Sequence, residues 1–427
     1  MHPLSKRRVA VIGSGISGLA CAYFLSRRHE LTLYEAEGRL GGHTHTVDVR
    51  VDGYDVAVDT GFLVYNDRTY PHLIALFAEL GIATHPSDMS FSVSLDQGRL
   101  EWAGSSLATV FAQRRHLLSP GFWGMLADIL RFNRMAPEHL KHAEQAPHTL
   151  GQLLATQGYG ARFRDHYLLP MAAAIWSSPC REILDFPAAS FLRFCLNHGL
   201  LQLRDRPQWR TVAGGARHYV NKIAAGLSDI RLSTPVLRVE RGAAGVRVLS
   251  AAGEESFDAL VFATHAPQTL RLLADADEQE RALLSAVRYQ ANEAVLHTDT
   301  SLLPQRQSVW AAWNFIGSGS DDSRAVGVSY LLNRLQALPV DTPLVLTLNP
   351  PHTPDPAKVL GRYHYEHPLL DQAAVTAQNA LAGIQGRRGC WFAGAWSGYG
   401  FHEDGLKSAL RVVEDFGLAP DWARLDL

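Results

Sequence analysis

Apolar and polar positions near the start of the chain follow the rhythm of a strand, a helix and a second strand. Residues 9–12 are a continuous apolar run, which predicts a buried strand. Apolar residues then recur three and four positions apart, which predicts a helix that buries Ile16, Leu19, Ala20, Tyr23 and Phe24. A further apolar run at 31–34 predicts the next strand. This order is typical of an α/β fold with a parallel sheet.

The turn between the first strand and the helix has the spacing G-x-G-x-x-G. Gly13 permits a tight turn, Gly15 lets the backbone approach a phosphate, and Gly18 lets the helix pack closely on the strand. The helix N-terminus can then receive an anion. Glu35, directly after the second strand, can accept hydrogen bonds from ribose hydroxyls. Together these features predict a site for a dinucleotide pyrophosphate.

The rest of the pattern predicts two interleaved domains. Further strand patterns occur at 47–49, 56–61, 234–239, 246–248, 259–264 and 391–393. Helical patterns rich in aromatic residues occur between them, for instance at 120–135 and 165–176. We expect a cofactor-binding domain built from 1–65, 211–285 and 386–427, and a substrate domain built from 66–210 and 286–385.

Composition and charge exclude several classes of protein. The chain has 427 residues and a formal net charge of −2, which gives no general attraction to nucleic acid or to an anionic membrane. No apolar run reaches transmembrane length, and residues 1–8 leave no room for a signal peptide. The four cysteines stand singly, which argues against a disulfide framework or a structural zinc site. We therefore expect a cytoplasmic protein that binds no nucleic acid.

A second motif follows the first βαβ unit. Glu35, Arg39, Gly41 and Gly42 form an acid-x-x-x-Arg-x-Gly-Gly pattern. Downstream of the glycine turn, this pattern resembles the second FAD motif of the amine oxidase, phytoene desaturase and protoporphyrinogen oxidase superfamily. The resemblance implies a Rossmann-like FAD-binding domain of the glutathione reductase type, with an interleaved α+β substrate domain. It also implies that the arginine and the glycine pair lie along the ribityl and pyrophosphate region of FAD.

A third motif lies near the end of the sequence, where a strand pattern at 391–393 leads through a loop to an acidic helix start at 402–405. Asp404 can cap that helix, so that its positive end faces whatever lies beside Gly405. In the resembled family this neighbour is the pyrimidine edge of the flavin, where negative charge appears on reduction.

The resemblance implies a set of cofactor-binding residues and a flavin held without a covalent bond. Cys390, which immediately precedes the last strand, does not lie where related enzymes attach the flavin. Val236 corresponds to a valine on the adenine side of FAD in that family. The predicted FAD contacts are Gly13, Gly15, Ile16, Ser17, Gly18, Glu35, Ala36, Arg39, Gly41, Gly42, His43, Thr60, Gly61, Val236, Thr264, Gly394, His402, Glu403, Asp404 and Gly405.

A narrower resemblance concerns the substrate. The glycine-rich segments at 41–44 and 392–405, with residues 333–336, resemble bacterial flavoproteins encoded beside cyclopropane fatty acid synthases or fatty acid methyltransferases. This resemblance implies an apolar, fatty-acyl lipid substrate and such an enzyme as a partner. The loop before Asp404 lacks the pair of tyrosines that cages an amine in amine oxidases; it offers Trp396, Tyr399, Phe401 and His402 instead.

Two histidines are candidates for a catalytic base. Oxidation by a flavin needs a base when a proton must leave together with the hydride, and histidine suits that task near neutral pH. His43 and His402 should both lie close to the flavin ring, although each could instead bond backbone or cofactor. His43 and His45 have no further ligands nearby, so we expect no metal site.

An apolar and basic stretch at 114–134 has two interpretations. It contains Arg114, Arg115, Arg131 and Arg134 around an apolar helical pattern, so it could rest on the inner face of an anionic membrane. It could equally wrap the core of the substrate domain.

Four functions remain open from the sequence. The first is desaturation or a related oxidation of a lipid, with oxygen or a quinone-like acceptor. The others are double-bond isomerisation without net oxidation, a non-catalytic accessory role, and amine oxidation.

Overall fold

A five-stranded parallel sheet forms the centre of the cofactor-binding half. The computed structural model describes residues 6–176, 179–202, 204–243, 245–317 and 327–424. In spatial order the strands of the parallel sheet are Ile230–Arg231, Glu30–Tyr34, Arg8–Ile12, Ala259–Phe262 and Cys390–Phe392. The helix between the first two strands of the chain is Ile16–Leu25. The strand, helix and strand predicted from the first apolar runs are thus confirmed.

The parallel sheet is buried on both faces, which explains why its strands are apolar throughout. In the strand Arg8–Ile12, Val9 and Val11 pack against helices, whereas Ala10 and Ile12 face the opposite side. The helical layer consists of Ile16–Leu25, Pro71–Leu80, Arg217–Ala224 and His402–Asp415. The opposite layer consists of the antiparallel strands Val236–Gly242, Gly245–Ser250 and Gly253–Phe257 with the helices Ala266–Leu272, Glu278–Ala286 and Gln372–Ala380.

The structure changes the interpretation of one group of predicted strands. The patterns at 234–239 and 246–248 form the antiparallel sheet rather than a return to the parallel one, and Gly253–Phe257 is a strand that we did not predict. Their connections are too short for a parallel crossover, so these strands can only pair antiparallel with their neighbours.

A seven-stranded sheet dominates the other half. Its spatial order is Val359–Pro368, Tyr289–His297, Val345–Leu348, Gly327–Leu331, Trp313–Gly317, Phe91–Leu95 and Leu100–Ala103. All its pairs are antiparallel except that of Trp313–Gly317 with Phe91–Leu95. Two small antiparallel sheets pair Thr46–Val51 with Tyr54–Asp59, and Trp209–Val212 with Tyr65–Asn66 and Thr84–Pro86. The boundaries of the two domains stay a prediction.

Helices cover the seven-stranded sheet. The longest, Pro120–Gln145, buries Phe122, Met125, Ile129 and Phe132 in the largest apolar cluster. The other α-helices are Leu107–Val110, Leu150–Thr156, Ala161–Phe163, Leu169–Trp176, Cys180–Leu184, Ala188–Asn197 and Leu332–Leu335, with a π-helical turn at Arg164–Leu168. Short 3₁₀ turns are Arg114–Leu118, Thr300–Leu302, Gln307–Val309, Pro356–Lys358, Leu381–Ile384, Arg387–Gly389, Ala395–Ser397 and Asp421–Arg424. Among the helices of the described residues, not one combines the length and apolarity that a bilayer crossing requires.

Candidate active site

One cavity of about 960 Å³ connects the glycine turn with the seven-stranded sheet. One end is formed by the turn around Gly13 to Ser17, at the carboxyl edge of the parallel sheet. The other end carries apolar and aromatic side chains from the helices and the seven-stranded sheet. In open parallel sheets, ligands bind beyond the carboxyl ends of the strands. This cavity is therefore the candidate site.

The glycine turn has the geometry that its sequence predicts. Gly13 has φ of +97°, and a Cβ there would lie 2.7 Å from the carbonyl oxygen of Ala263. A Cβ on Gly18 would lie 1.9 Å from the carbonyl oxygen of Gly13, which confirms the close packing of helix on strand. A Cβ on Gly15 would meet no atom within 4 Å, so the space beside it is open.

The helix that begins after Gly15 has no side chain capping its N-terminus. Its first N–H groups have no partner within the helix, and the residues from Gly13 to Ser17 line the cavity. Free N–H groups and the positive end of the helix dipole suit a pyrophosphate. The residues present therefore fit a dinucleotide.

Glu35, directly after the neighbouring strand Glu30–Tyr34, stabilises the glycine turn through hydrogen bonds. Its Oε2 accepts hydrogen bonds from the Ser14 N–H at 2.9 Å and the Ser14 hydroxyl at 2.5 Å, and its Oε1 accepts one from the Glu37 N–H at 2.9 Å. The carboxylate thus joins the ends of the first two strands and borders the cavity. Each carboxylate oxygen has two lone pairs, so Glu35 retains capacity to accept from a ribose hydroxyl.

The loop after Glu35 folds back onto the glycine turn. Gly41 and Gly42 both have positive φ, of +109° and +56°, and a Cβ on Gly42 would lie 3.1 Å from the Cα of Gly15. The Gly41 N–H donates to the Ser14 carbonyl oxygen at 3.0 Å. Arg39 donates to the Gly42 carbonyl oxygen at 2.8 Å and pairs with Glu37 at 3.0 Å. Two predicted motifs therefore meet at one end of the cavity.

His43 follows this loop and lies among other aromatic side chains. Its ring centroid is 5.3 Å from Tyr365, 5.4 Å from His367 and 6.1 Å from His265. Burial, followed by the neighbouring histidines, lowers the pKa of His43 well below its usual value, whereas a hydrogen bond with the Glu366 backbone opposes this shift. Its Nε2 is buried and has no hydrogen-bond partner. The lowered pKa favours a neutral imidazole whose Nε2 has no hydrogen-bond partner.

The neighbours of His43 are held in place by hydrogen bonds. His367 Nδ1 accepts a hydrogen bond from the side-chain amide of Asn292 at 2.9 Å, and burial lowers the pKa of His367 to about 4. His265 stacks on Tyr289 and contacts Glu366 at 3.1 Å. His265, Tyr365 and His367 were not among the predicted site residues. Aromatic residues alternate along the strand Val359–Pro368, which is a detectable signal for Tyr365 and His367 but not for His265.

His402 differs from His43 because its Nε2 is already engaged. It lies 2.9 Å from the Thr44 hydroxyl and 3.3 Å from the Tyr219 hydroxyl, and these two hydroxyls also bond each other. The ring stacks on Phe62 with centroids 3.7 Å apart. Burial lowers the pKa of His402 to about 3, so the ring is neutral. Of the two predicted bases, His43 alone has a buried ring nitrogen without a hydrogen-bond partner.

The acidic start of the last helix differs from the prediction. The helix begins at His402, so Asp404 is the third residue of its first turn and does not occupy the N-cap position itself. From there its carboxylate accepts a hydrogen bond from the Phe401 N–H at 3.0 Å, so Asp404 still caps the helix. Burial raises the pKa of Asp404 to about 6. Glu403 points to the helix Pro71–Leu80, where it accepts from the N–H groups of His72 and Leu73, both at 3.0 Å.

The structure brings most of the predicted cofactor contacts to the cavity wall, but four of them lie elsewhere. Gly18, Glu403, Asp404 and Gly405 do not line the cavity. Gly405 is packed against Ile16 and Ser17, so a Cβ there would lie 2.7 Å from the Ile16 side chain. The predicted residues on the wall are Gly13, Gly15, Ile16, Ser17, Glu35, Ala36, Arg39, Gly41, Gly42, His43, Thr60, Gly61, Val236, Thr264, Gly394 and His402.

The far end of the cavity is aromatic. Phe194 lines it, and its ring centroid is 4.7 Å from that of Trp176, 5.4 Å from that of Tyr399 and 5.1 Å from that of Phe401. The described charged residues that line the cavity are Glu35, Glu37, Arg39, Arg271 and Glu366. Arg193, which does not line the cavity, hydrogen-bonds to the Tyr399 side chain. Within the described ranges, no three His, Cys, Asp or Glu side chains are placed to hold a metal ion.

Comparison with known proteins agrees with this arrangement. The sequence matches the family described as flavin containing amine oxidoreductase over residues 16–331, more than half of the chain. An L-amino acid dehydrogenase from Synechocystis sp. is 25% identical over 264 residues, which cover 60% of this chain and 55% of that protein. The chain therefore spans about half the length of this curated relative.

Solved structures share the fold over nearly the whole chain. Putrescine oxidase bound to putrescine superposes with a TM-score of 0.67 at 17% identity, covering 97% of this chain and 99% of the other. A fatty acid isomerase from P. acnes that produces CLA superposes with a TM-score of 0.63 at 17% identity, covering 97% and 100%. At these identities the likeness concerns the fold. The chain belongs to the flavin containing amine oxidoreductase family, a family of flavin-dependent oxidoreductases, and its cofactor is FAD.

Proposed function

We propose that the chain oxidises an apolar, fatty-acyl lipid by transferring a hydride from a C–H bond to FAD, which it holds without a covalent bond. The observation that carries this proposal is the cluster of aromatic side chains Trp176, Phe194, Tyr399 and Phe401 on the cavity wall. An acyl chain gains about 0.8 kcal/mol for each methylene group that leaves water for such a surface.

The same observation weighs against an amine substrate. A protonated amine that enters an apolar chamber loses its hydration, which costs several kcal/mol unless a counter-charge or hydrogen-bond acceptors replace the water. The described carboxylates on the cavity wall are Glu35 and Glu37, beside the glycine turn, and Glu366, which contacts His265 at 3.1 Å. The fold itself is compatible with either substrate, since it occurs in both a putrescine oxidase and a fatty acid isomerase.

His43 would take up the proton in this reaction. Desaturation removes a hydride from one carbon and a proton from its neighbour, and the electron pair of the broken C–H bond forms the new double bond. FAD, when bound, supplies the two-electron acceptor. The unpartnered Nε2 of neutral His43 accepts the proton, and the packing of Tyr365 and His367 around the ring fixes its direction.

An anaerobic absorbance spectrum tests the proposal. We expect the flavin band of the purified protein to bleach when phospholipids with unsaturated or methyl-branched acyl chains are added. Bleaching by a polyamine, with release of hydrogen peroxide in air, would contradict the proposal and establish amine oxidation. Product formation without net consumption of an acceptor would indicate an isomerase. A flavin that stays oxidised with every lipid and amine would favour an accessory role, for instance beside a fatty acid methyltransferase or cyclopropane synthase.

A pair of neighbouring leucines sharpens this test. Leu200 lines the cavity, whereas Leu196, also half-buried, does not. Leu200→Glu places a carboxylate at the apolar end, so we expect it to slow bleaching by lipid at least tenfold. Leu196→Glu is the matched control, because a charge at this half-buried position should lower the stability of the fold by a similar amount. Equal bleaching by both variants would show that the acyl chain does not occupy this end.

A further inference from the structure

Exposed apolar side chains cluster around the start of the longest helix. Leu107 is 79% exposed and Leu118 is 89% exposed, and Leu117, Trp123 and Leu130 are also largely exposed. These side chains lie within 24 residues of the chain. Soluble proteins seldom concentrate large apolar side chains on one surface unless that surface meets a partner.

Contacts and helix spacing place Leu117, Trp123 and Leu130 close together, and Leu107 and Leu118 are exposed in the same segment. The indole N–H of Trp123 donates to the Leu117 carbonyl oxygen at 3.0 Å, and its ring lies 5.1 Å from that of Phe111. Leu130 follows Trp123 by seven residues in the helix Pro120–Gln145, so both share one helix face. We call Leu107, Leu117, Leu118, Trp123 and Leu130 the apolar patch.

The surroundings of the apolar patch are basic. Residues 102–127 contain no aspartate or glutamate. Arg114 and Arg115 are exposed beside Leu117, and Arg162 reaches the Ser119 hydroxyl at 3.4 Å. The acidic groups that border the segment are already paired, since Glu101 binds Arg306 at 2.7 Å and Asp128 binds Arg131 at 2.9 Å.

We propose that the apolar patch docks on an anionic lipid bilayer. Its leucines and Trp123 enter the interface, while Arg114, Arg115 and Arg162 meet the phosphate groups. An apolar surface flanked by cations is the composition that binds at an anionic bilayer surface, where insertion and charge attraction add. The charge complementarity favours a bilayer over a second copy of the chain, because two such patches would bring like charges together.

The position of the apolar patch relates it to the cavity. The helix Pro120–Gln145 packs on the helix Ala188–Asn197, and Phe194 of that second helix lies at the aromatic end of the cavity. Neighbouring helices pack with axes about 8 to 10 Å apart. A docked protein would therefore hold the aromatic end about one helix layer from the bilayer. The docking itself does not depend on the proposed reaction.

Vesicle cosedimentation tests the proposal with full-length protein loaded with FAD. We expect binding to phosphatidylglycerol vesicles, weaker binding to phosphatidylcholine vesicles, and a loss of binding as salt is raised. The double variant Leu107→Glu and Leu118→Glu should bind the anionic vesicles at least tenfold more weakly, and Arg114→Glu should reduce both binding and its salt dependence. Leu237→Glu is the matched control, because Leu237 is 56% exposed on the three-stranded sheet.

Three outcomes would overturn the proposal. The first is a wild-type protein that stays in the supernatant with phosphatidylglycerol vesicles. The second is an equal loss of binding in the Leu237→Glu control. The third is a dimer, detected by light scattering, that the Leu107→Glu and Leu118→Glu variant dissociates while no vesicle binding is seen. Circular dichroism and melting temperature establish that each variant is folded.

Discussion

A methyl group added at Gly15 separates folding from cofactor binding. Gly15 has φ of −64° and ψ of 179°, a conformation that alanine adopts readily, and its Cβ would meet no atom of the protein within 4 Å. The Gly15→Ala variant should therefore fold. Because alanine restricts the unfolded chain, we expect the stability of the protein without FAD to stay the same or rise by about 0.4 to 1 kcal/mol.

The affinity for FAD should fall, in contrast to the stability of the protein without FAD. The open space beside Gly15 is where we place the pyrophosphate, so the added methyl group would crowd the bound cofactor. Overpacking of a well-filled site costs about 1 to 3 kcal/mol, which corresponds to a dissociation constant for FAD about 5- to 150-fold higher. The expected signature is weaker FAD binding by a protein whose own melting temperature has not fallen.

The assay is a titration of deflavinated protein with FAD, followed by flavin fluorescence, together with the melting temperature of the same preparation. Gly124→Ala is the control, because its Cβ would also meet no atom within 4 Å but lies in the helix Pro120–Gln145. Gly18→Ala should instead damage the fold, since its Cβ would overlap the Gly13 carbonyl oxygen. An FAD affinity of folded Gly15→Ala within twofold of wild type would refute the placement of the pyrophosphate.

Three further predictions concern charged and titrating groups. Glu35→Ala should purify with much less FAD, because it removes a carboxylate whose hydrogen bonds are each worth about 1.5 to 3 kcal/mol, whereas the exposed Glu30→Ala should not; equal flavin content would contradict this. His43→Gln should retain FAD but slow lipid-dependent bleaching about 10²- to 10⁴-fold, and an unchanged rate would exclude His43 as the base. Folding lowers the pKa of His402 from 6.5 to about 3, so the unfolded chain binds this proton first as pH falls, and the contribution of His402 to stability is lost between about 6.5 and 3. The free energy of unfolding can be measured with urea at several pH values. In that pH window its slope against pH should be smaller by about one proton for His402→Gln than for wild type, and identical slopes would refute the buried neutral state.

Sequence reasoning succeeded where structure depends on neighbours along the chain. The first βαβ unit, its glycine turn and Glu35 all lie within thirty residues, so apolar spacing and backbone sterics determine them locally. Gly18 illustrates this, because its packing partner Gly13 is five residues away. The positions of these residues in the fold could be derived before any tertiary contact was known, and their cofactor contacts stay predictions.

The sequence did not predict contacts between residues that lie far apart in the chain. Glu403 belongs to the third predicted flavin motif, yet its side chain accepts hydrogen bonds from His72 and Leu73, more than three hundred residues away. The same holds for Tyr365 and His367, which come to His43 only because the edge strand of the seven-stranded sheet lies against the cavity. No local pattern contains these pairings, because they depend on how the two halves of the chain pack together.

The parallel sheet has a consequence for how the protein is made. Its fourth and fifth strands in spatial order, Ala259–Phe262 and Cys390–Phe392, are separated by the whole of residues 263–389 in the order of synthesis. Until the last strand emerges from the ribosome, Ala259–Phe262 is an apolar edge with unpaired backbone groups, a template for aggregation. Contacts of such long range also form slowly. A newly synthesised chain should therefore need protection by a chaperone until its final strand is available.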